Sequence, residues 1–421
     1  VVDRGEGCDD GPNNGHGQGT CMADCSALQL CPDPTQQDAC QNEVGGDGAA
    51  IDSGLTAPVL LFQPTFESAQ VDGGQVPVNR GGVNQSYSIG IYIDPQDHQT
   101  KLLVNDRGNN RVLIYNHVPR QSGELPDLVV GQSDFTSGLP DAGLASPSAA
   151  GFHDNVHVSV CGTGEMFVSD AANNRVLVWR RVPTANGVPA DFVLGQPDFA
   201  SSAAGTSLTT LNRPYAAHCI ARKLVIVDSI NNRLLIYDQI PSSGADRPTR
   251  VIGQQDFDSA VLRCSPTSLN YPYQVRLHAG RVYVSDGSNH RVLVFDDSFW
   301  TSASRPIPIA VLGQPDFTTC ALKAPPDAAS LSTPNSVAAQ GDLLAVSDHD
   351  NNRIVVFRLP VTTGAAAELV IGHDTFNDAS LVAPPTATSF QNPKGMIFDG
   401  SFLWVGDNKN HRVMSCPVPP L

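Results

Sequence analysis

The chain has 421 residues and a formal net charge of −16, with 16% charged residues, 37 glycines and 32 prolines. The negative charge opposes binding to nucleic acid phosphates and to anionic lipid surfaces. No run approaches the roughly 20 apolar residues of a membrane helix. We therefore expect a turn-rich, strand-rich globular protein with no nucleic acid partner and no membrane span.

Residues 1–50 are rich in Gly, Asp and Asn and contain five of the ten cysteines. So few aliphatic residues cannot form a core without cross-links, and we predict a separate, disulfide-stapled module. Its segment Gly5–Gly11, GEGCDDG, resembles the short Cys-rich repeats with a GE-x-CDDG core that occur in secreted bacterial proteins. Asp9 and Asp10 are candidate calcium ligands, although polar turn residues between disulfides are the simpler interpretation.

The rest of the chain contains six copies of the hexapeptide Asp-x-x-Asn-(Asn/His)-Arg, spaced about 60 residues apart. Each copy lies between two aliphatic runs, which predicts a hairpin turn. Repeats at this spacing indicate stacked units that bury a core only together. A single active site would not need the same residues in all six repeats. We therefore predict a structural role for the Asp and Arg of the hexapeptide. The copies are Asp106–Arg111, Asp170–Arg175, Asp228–Arg233, Asp286–Arg291, Asp348–Arg353 and Asp407–Arg412.

Two more strands are predicted in each repeat. One ends in Gly-Gln-x-Asp-Phe, as at Gly131–Phe135, and another begins near a proline 14 residues before the Asp, as at Pro214. Four strands per repeat indicate propeller blades. The pattern resembles the NHL repeat family, which implies an all-β, six-bladed β-propeller over residues 57–421. These repeats are longer than the usual NHL repeat, and we attribute the excess to an extended outer strand and connecting loop.

The last repeat ends after its third strand and therefore lacks an outer strand. Val59–Phe66 looks like a decayed copy of Val311–Phe317 and precedes the first blade. We predict that this segment completes blade six and closes the ring. The alternative is that residues 57–66 complete blade six of a neighbouring molecule, which would build a fibre.

The ten cysteines divide into two groups of five, one in the N-terminal module and one in the repeats. One bridge between the groups would make both even, and extensive disulfide use indicates an oxidising compartment and secretion. Cys416 stands where the other repeats have an aromatic residue, so we choose it for that bridge. Cys161 and Cys219 share one offset on adjacent inner strands. The predicted pairs are Cys40–Cys416, Cys161–Cys219 and Cys264–Cys320.

A binding site is expected where the repeats differ from one another. The hexapeptide turns and the long loops after each Phe should share one face, around the mouth of the central channel. Candidate binding residues on these loops and on the inner strands are Arg107, His153, Asp154, Tyr215, Tyr273, Arg276, His349 and Lys409.

One enzymatic precedent resembles this chain. Peptidylamidoglycolate lyases use an NHL-type propeller and hold zinc with histidines from different blades, so the resemblance implies three equivalent histidines. His218 corresponds by offset to Val160, Arg276, Ala338 and Ile397, and such a ring is therefore not predicted. Zinc is the less favoured cofactor, and its weak candidate ligands are His153, His157 and His218.

The favoured function is a secreted or cell-surface propeller that binds a protein, peptide or glycan through its loop face. The alternatives are a structural subunit of an extracellular fibre built from copies of the chain, and a metal-dependent lyase. No G-x-S-x-G, H-E-x-x-H, Walker or Rossmann motif is present, which disfavours an enzyme. We expect no cofactor, with calcium in the N-terminal module as the favoured exception and zinc as the less favoured one.

Overall fold

Six antiparallel sheets of four strands follow one another along the chain in the computed structural model, which describes residues 55–75, 78–302, 305–400 and 402–418. The predicted all-β, six-bladed propeller is confirmed. The predicted Cys-rich module, with Asp9 and Asp10, lies outside the described residues. Within the described part of the chain, no helix has the length and apolar character needed to cross a membrane.

In blades one to five the first strand is innermost, beside the central channel, and the last strand is outermost. In blade six the outermost strand comes from the start of the propeller. Blade one consists of β2 Ser86–Ile93, β3 Thr100–Asp106, β4 Arg111–Tyr115 and β5 Leu128–Val130. Blade two consists of β6 Asn155–Val160, β7 Met166–Asp170, β8 Arg175–Trp179 and β9 Phe192–Leu194. Blade three consists of β10 Pro214–Ile220, β11 Lys223–Asp228, β12 Arg233–Tyr237 and β13 Arg250–Ile252. Blade four consists of β14 Pro272–His278, β15 Arg281–Asp286, β16 Arg291–Phe295 and β17 Ala310–Leu312. Blade five consists of β18 Pro334–Gln340, β19 Leu343–Asp348, β20 Arg353–Arg358 and β21 Leu369–Ile371. Blade six consists of β22 Pro393–Asp399, β23 Phe402–Asp407 and β24 Arg412–Pro417, together with β1 Leu60–Leu61.

Blade six is built from both ends of the propeller. Strand β1 pairs antiparallel with β24, with Leu60 opposite Met414 and Leu61 opposite Val413. The guanidinium of Arg412 donates to the carbonyl oxygen of Phe66, as its counterparts do to the Phe of each Gly-Gln-x-Asp-Phe segment. The predicted closure is therefore confirmed, and the segment completes its own blade rather than that of a neighbour.

Neighbouring blades share their hydrophobic cores. Leu103 and Val112 of blade one pack with Val158 and Leu177 of blade two, and all are buried. Both faces of the middle strands are covered in this way, which is why they consist of continuous aliphatic runs such as β12 instead of alternating polar and apolar residues. The blades depend on one another for burial, as the repeat predicts.

The outer strands are short. Five have three residues each and β1 has two, so the expectation of an extended outer strand is wrong and the additional length lies in the loops. The chain leaves the sheet because side chains anchor it to the neighbouring turn. The amide of Gln132 donates to the carbonyl oxygens of Asn110 and Leu139 at 3.0 and 2.9 Å.

The Asp and Arg of each hexapeptide form a buried ion pair. In blade three, Asp228 Oδ2 accepts hydrogen bonds from Arg233 Nε at 2.7 Å and from Asn231 Nδ2 at 2.8 Å. Its Oδ1 accepts a third, from the backbone N–H of Asn212 at 2.7 Å. The corresponding ion pairs of all six blades are fully buried, with Nε to Oδ2 distances of 2.6 or 2.7 Å.

The same arginine also fixes the loops on both sides of its turn. Arg233 donates to the carbonyl oxygens of Ser207 and Thr210, before the inner strand, and of Phe257, after the outer strand. One side chain thus satisfies buried acceptors from three parts of the blade, which favours the structural role predicted for the repeat.

The fifth hexapeptide residue links each blade to the next. Asn174 Oδ1 accepts the backbone N–H of Arg213 at 2.8 Å, and His411 Nδ1 accepts that of Gln85 at 3.1 Å. Both side chains are short and carry a hydrogen-bond acceptor, Oδ1 in Asn and Nδ1 in His, which explains why either residue occurs at this position. The residues held in this way immediately precede the inner strands and have left-handed backbones, with φ between 50° and 69°. They are Gln85, Asp154, Arg213, Tyr271, Thr333 and Asn392.

Two of the predicted disulfides are present. Cys161–Cys219 has a Cα separation of 5.3 Å and Cys264–Cys320 one of 6.1 Å, within the range that a disulfide spans. Cys161 and Cys219 are not equivalent in register, however, because Cys161 follows the end of β6 while Cys219 lies inside β10.

The predicted Cys40–Cys416 bridge is not formed. Cys416 is a free cysteine, and Cys40 lies outside the described residues. The Cys416 side chain points into the core of blade six, where it packs with Leu60, Phe398 and Leu403. Burial raises the pKa of its thiol to about 12, so the residue acts as a small apolar side chain in the aromatic position of the other blades.

Candidate functional site

The inner strands all begin with a break in register. Their first residue pairs opposite the hexapeptide Asp, and pairing then resumes after one or two unpaired residues. Such a bulge redirects the side chain within it. The second residues of the six inner strands therefore form a ring at the channel mouth, on the face that carries the hexapeptide turns, called here the turn face. They are Tyr87, Val156, Tyr215, Tyr273, Asn335 and Lys394.

Four tyrosines cluster on one side of this mouth. The hydroxyl oxygens of Tyr87 and Tyr215 are 2.7 Å apart and share a hydrogen bond. The ring of Tyr215 has its centroid 4.6 Å from that of Tyr273, and Tyr271 lies 5.4 Å from Tyr273. The ring planes are inclined by more than 50°, as in favourable edge-to-face contacts.

A lysine from blade six completes the cluster. Lys394 is only 5% exposed. Its Nζ lies 4.0 Å from the ring centroid of Tyr87. The ring centroids of Tyr215 and Tyr273 are farther away, at 5.9 and 6.0 Å. These are cation–π distances, and contacts of this kind are strongest when water is excluded.

Two arginines share one carboxylate at the rim of the mouth. Asp154 Oδ1 accepts a hydrogen bond from Arg107 Nε, and its Oδ2 lies 2.5 Å from Arg213 Nη2. The guanidinium of Arg107 also stacks on Tyr87, with Cζ 4.6 Å from the ring centroid. Asp154 and Arg213 belong to the left-handed positions described above, so the strained backbone of adjacent blades presents these side chains.

The clustered charges shift one another's protonation. Burial lowers the pKa of Lys394, and the phenol of Tyr87 only partly offsets this. Burial alone would raise the pKa of Tyr87, but the charges of Lys394 and Arg107 outweigh it and lower that pKa. Burial likewise opposes ionisation of Asp154, yet Arg107 and Arg213 hold its pKa below the ordinary value. The mouth is thus an electrostatically coupled group.

The blade-five turn supplies a second carboxylate. His349 Nδ1 lies 2.8 Å from Asp350 Oδ1, and burial lowers the pKa of His349. Asp350 is half exposed and acts on Lys394 only through its electric field. Lys409 is exposed in the blade-six turn, and its charge contributes to the lowered pKa of His349.

Below the mouth the channel is nearly closed. A cavity of about 40 Å³ remains there, lined by residues that include His157, Ser159, His218 and Arg276. Since one ordered water needs at least about 10 to 15 Å³, this space has room for a few water molecules and is too small for a larger ligand.

The weak zinc candidates do not form a metal site. His157 and His218 contact each other ring to ring, with centroids 4.4 Å apart. Burial lowers the pKa of His218 to about 3, with Arg276 acting in the same direction. His153 lies elsewhere, half exposed and 3.7 Å from Asp141. Over the described residues, no three His, Cys, Asp or Glu side chains come together as potential metal ligands.

Half of the predicted binding residues meet at the mouth. Arg107, Asp154, Tyr215 and Tyr273 belong to the cluster. His349 and Lys409 lie on the surrounding turns, whereas His153 and Arg276 lie outside and below it. Sequence reasoning missed four members of the cluster. The residues that it missed are Tyr87, Arg213, Tyr271 and Lys394.

The signal for Lys394 and Tyr87 was present in the sequence. Lys394 follows Pro393 just as Tyr215 follows Pro214 and Tyr273 follows Pro272. In blade one the proline is replaced by Ser86, which hid the equivalence of Tyr87.

Comparison with solved structures finds other propellers. An auxiliary nutrient binding protein from Bacteroides ovatus has 13% sequence identity and a TM-score of 0.50, covering 86% of this chain and 76% of its own. Virginiamycin B lyase from Staphylococcus aureus has 14% identity and a TM-score of 0.41, covering 80% of this chain and 96% of its own. Likeness at such identity shows the fold alone. No protein-family model matches the chain, and no curated protein matches it either.

Proposed function

We propose that this protein is a secreted β-propeller that binds a ligand on its turn face, over the mouth of the central channel. The observation that supports this most is the variation within two sets of residues there: the ring of second residues of the inner strands, and the left-handed residues that immediately precede these strands. The six equivalent backbone positions of each set carry a mixture of side-chain types, and blades one to four and six contribute the tyrosines and charges of one asymmetric cluster. Asymmetry on a symmetric scaffold is what recognition of a single ligand requires.

The disposition of the rest of the molecule supports binding over catalysis. The channel below the mouth has no room for a substrate, and the histidines do not converge on a metal within the described part of the chain. The solved propellers named above include both a nutrient-binding protein and a lyase, so the fold admits either use and the choice rests on the site. The two disulfides support an oxidising, extracytoplasmic location.

The test is to probe arrays of glycans and peptides with the purified full-length protein and with two mouth variants. Tyr271→Ala and Arg213→Gln change side chains that are only partly buried, so the fold should survive them. We expect both variants to lose capture of a ligand that the unaltered protein binds. Arg281→Ala, at an exposed position on the opposite face, is the matched control and should retain it.

Undiminished capture by both mouth variants would place the binding surface elsewhere. Loss of capture in the control as well would show a general loss of the fold. Thermal unfolding of each variant separates these cases.

A further inference from the structure

A buried lysine without an acidic partner marks the mouth. Among the described residues, Lys394 forms no ion pair, although it is only 5% exposed. Lys101 is buried to a similar extent, and its Nζ lies 2.6 and 2.8 Å from the carboxylates of Asp94 and Asp97. Withdrawing a cation from water without a counter-ion is costly, and Lys101 shows how this fold compensates such a cost elsewhere.

The side chains around Lys394 do not supply the missing charge. Its ammonium faces the ring and the hydroxyl of Tyr87, and the rings of Tyr215 and Tyr273 lie within cation–π distance. Aromatic contacts of this kind stabilise a cation by less than a hydrogen-bonded carboxylate contributes to a buried charge. The cation is therefore held in position but not neutralised.

The neighbouring charges leave the mouth positive. Arg107 and Arg213 share the single carboxylate of Asp154, and Asp350 is the other acidic residue that acts on the cluster. The three cations of the cluster thus face two carboxylates, and Lys409 on a surrounding turn adds further positive charge, in a chain whose net charge is −16. A positive opening on a negative protein concentrates anions at that point.

The mouth also offers an apolar surface beside these charges. Tyr271 and Tyr273 are partly exposed, while Tyr87 and Tyr215 beneath them are 8% and 9% exposed. A ligand seated here would place its body against two tyrosine rings and its polar end toward Lys394 and the arginines. Rings of this kind bury a large area at a low cost in conformational entropy.

We propose that the ligand is a small organic carboxylate, with its anionic group next to Lys394 and the two arginines and its body on Tyr271 and Tyr273. Because Arg107 and Arg213 already share Asp154, the single ammonium of Lys394 is the charge of the cluster left to be neutralised, which fits a monoanion better than a doubly charged phosphate. This inference rests on the proposed function, because it assigns the ligand class for the same site.

Isothermal titration calorimetry at low salt tests the inference with three probes. The probes are 4-hydroxyphenylacetate, its uncharged amide and inorganic phosphate, each added to the full-length protein. We expect the carboxylate to bind at least tenfold more tightly than the amide and more tightly than phosphate. Lys394→Met, which keeps the side-chain length, should weaken carboxylate binding at least tenfold and amide binding by a much smaller factor.

Two further variants keep the test decisive. Lys323→Met removes an exposed lysine from an outer loop and should bind the carboxylate within twofold of the unaltered protein. Arg213→Gln, at a partly exposed position, should weaken carboxylate binding about fivefold, and it replaces Lys394→Met as the criterion if that variant does not fold.

Equal affinity for the carboxylate and the amide, or carboxylate binding that survives both Lys394→Met and Arg213→Gln, would overturn the anionic assignment while leaving ligand binding at the mouth intact. Tighter binding of phosphate would overturn the choice of a carboxylate. If no probe binds, the inference fails, and the array experiment then decides independently whether the mouth binds ligands at all.

Discussion

Each blade contains two regions that use the sixfold repeat in different ways. The hexapeptide turn repeats one buried network six times, with the same Asp, Asn and Arg contacts in every blade. The mouth, at the start of each inner strand, repeats only its backbone, and its side chains change from Lys394 to Val156 to Tyr215. Constant side chains therefore indicate the fold, and a constant backbone with changing side chains indicates the site.

The largest expected effect comes from breaking one turn network. Arg233→Met should lower the free energy of unfolding by about 3 to 5 kcal/mol, because it leaves Asp228 buried and charged and deprives three carbonyl oxygens of their donor. Urea denaturation measures the loss. Arg358→Met, which removes an exposed ion pair with Asp342, is the control and should cost less than about 1 kcal/mol. Similar losses in both variants would contradict the structural role of the network.

The bridge between blades two and three should rank next. Replacing both Cys161 and Cys219 by alanine should lower the free energy of unfolding by about 2 to 4 kcal/mol, because it releases a loop closed across 58 residues. The matched variant lacks Cys264 and Cys320, which close a loop of similar length between surface loops. Denaturation under non-reducing conditions compares the two. A smaller loss at the buried pair than at the surface pair would show that packing at the channel contributes little.

A smaller and pH-dependent effect is expected at the rim. Asp154→Asn should lower the free energy of unfolding by about 1 kcal/mol at neutral pH, because it removes the partner of Arg107 and Arg213. Since the folded state lowers the pKa of Asp154, its contribution is present above the ordinary carboxyl pKa and is lost as pH falls through the lowered value.

The difference between this variant and the unaltered protein should therefore shrink on acidification. Thermal unfolding between pH 7 and pH 2 follows it, with Glu67→Gln as an exposed control. A difference that stays constant over this range would show that the ion pair does not account for the loss.

The smallest effect on stability is expected at Lys394. Lys394→Met should change the free energy of unfolding by less than about 1 kcal/mol, or raise it, because replacing a buried charge by an apolar side chain of similar volume removes its cost of desolvation. Urea denaturation beside the binding assay measures both properties of one variant. A loss above 2 kcal/mol would group Lys394 with the turn residues and remove the contrast between the two regions.

The sequence predicted those parts of the molecule that repeat. The hexapeptides and the Gly-Gln-x-Asp-Phe segments could be recognised because their sequences recur from blade to blade. The closing strand could be recognised because the segment that ends at Phe66 keeps a decayed copy of the same motif. The pairing of Cys161 with Cys219 was also found, although Cys161 lies beyond the end of its strand, since the two strands remain close enough for a bridge.

The mouth was predicted only in part, because its geometry depends on register. A bulge at the start of each inner strand takes one or two residues out of the alternation that sequence patterns reveal. The prolines before Lys394, Tyr215 and Tyr273 reveal that the three positions are equivalent. No single strand shows, however, that Lys394 packs on tyrosines from three other blades. Contacts across a ring require the closed structure.

The closure of blade six also determines when the protein can finish folding during synthesis. The backbone N–H of Val59 donates to the hydroxyl of Ser415, a partner 356 residues later, and ribosomes add about 5 to 20 residues per second, so this contact waits roughly 20 to 70 s. Blades one to five can assemble progressively in that interval, each on its predecessor. The segment around Leu60 spends the whole period without its β-strand partner, which makes it the point where a nascent chain is most exposed to mispairing and to chaperones.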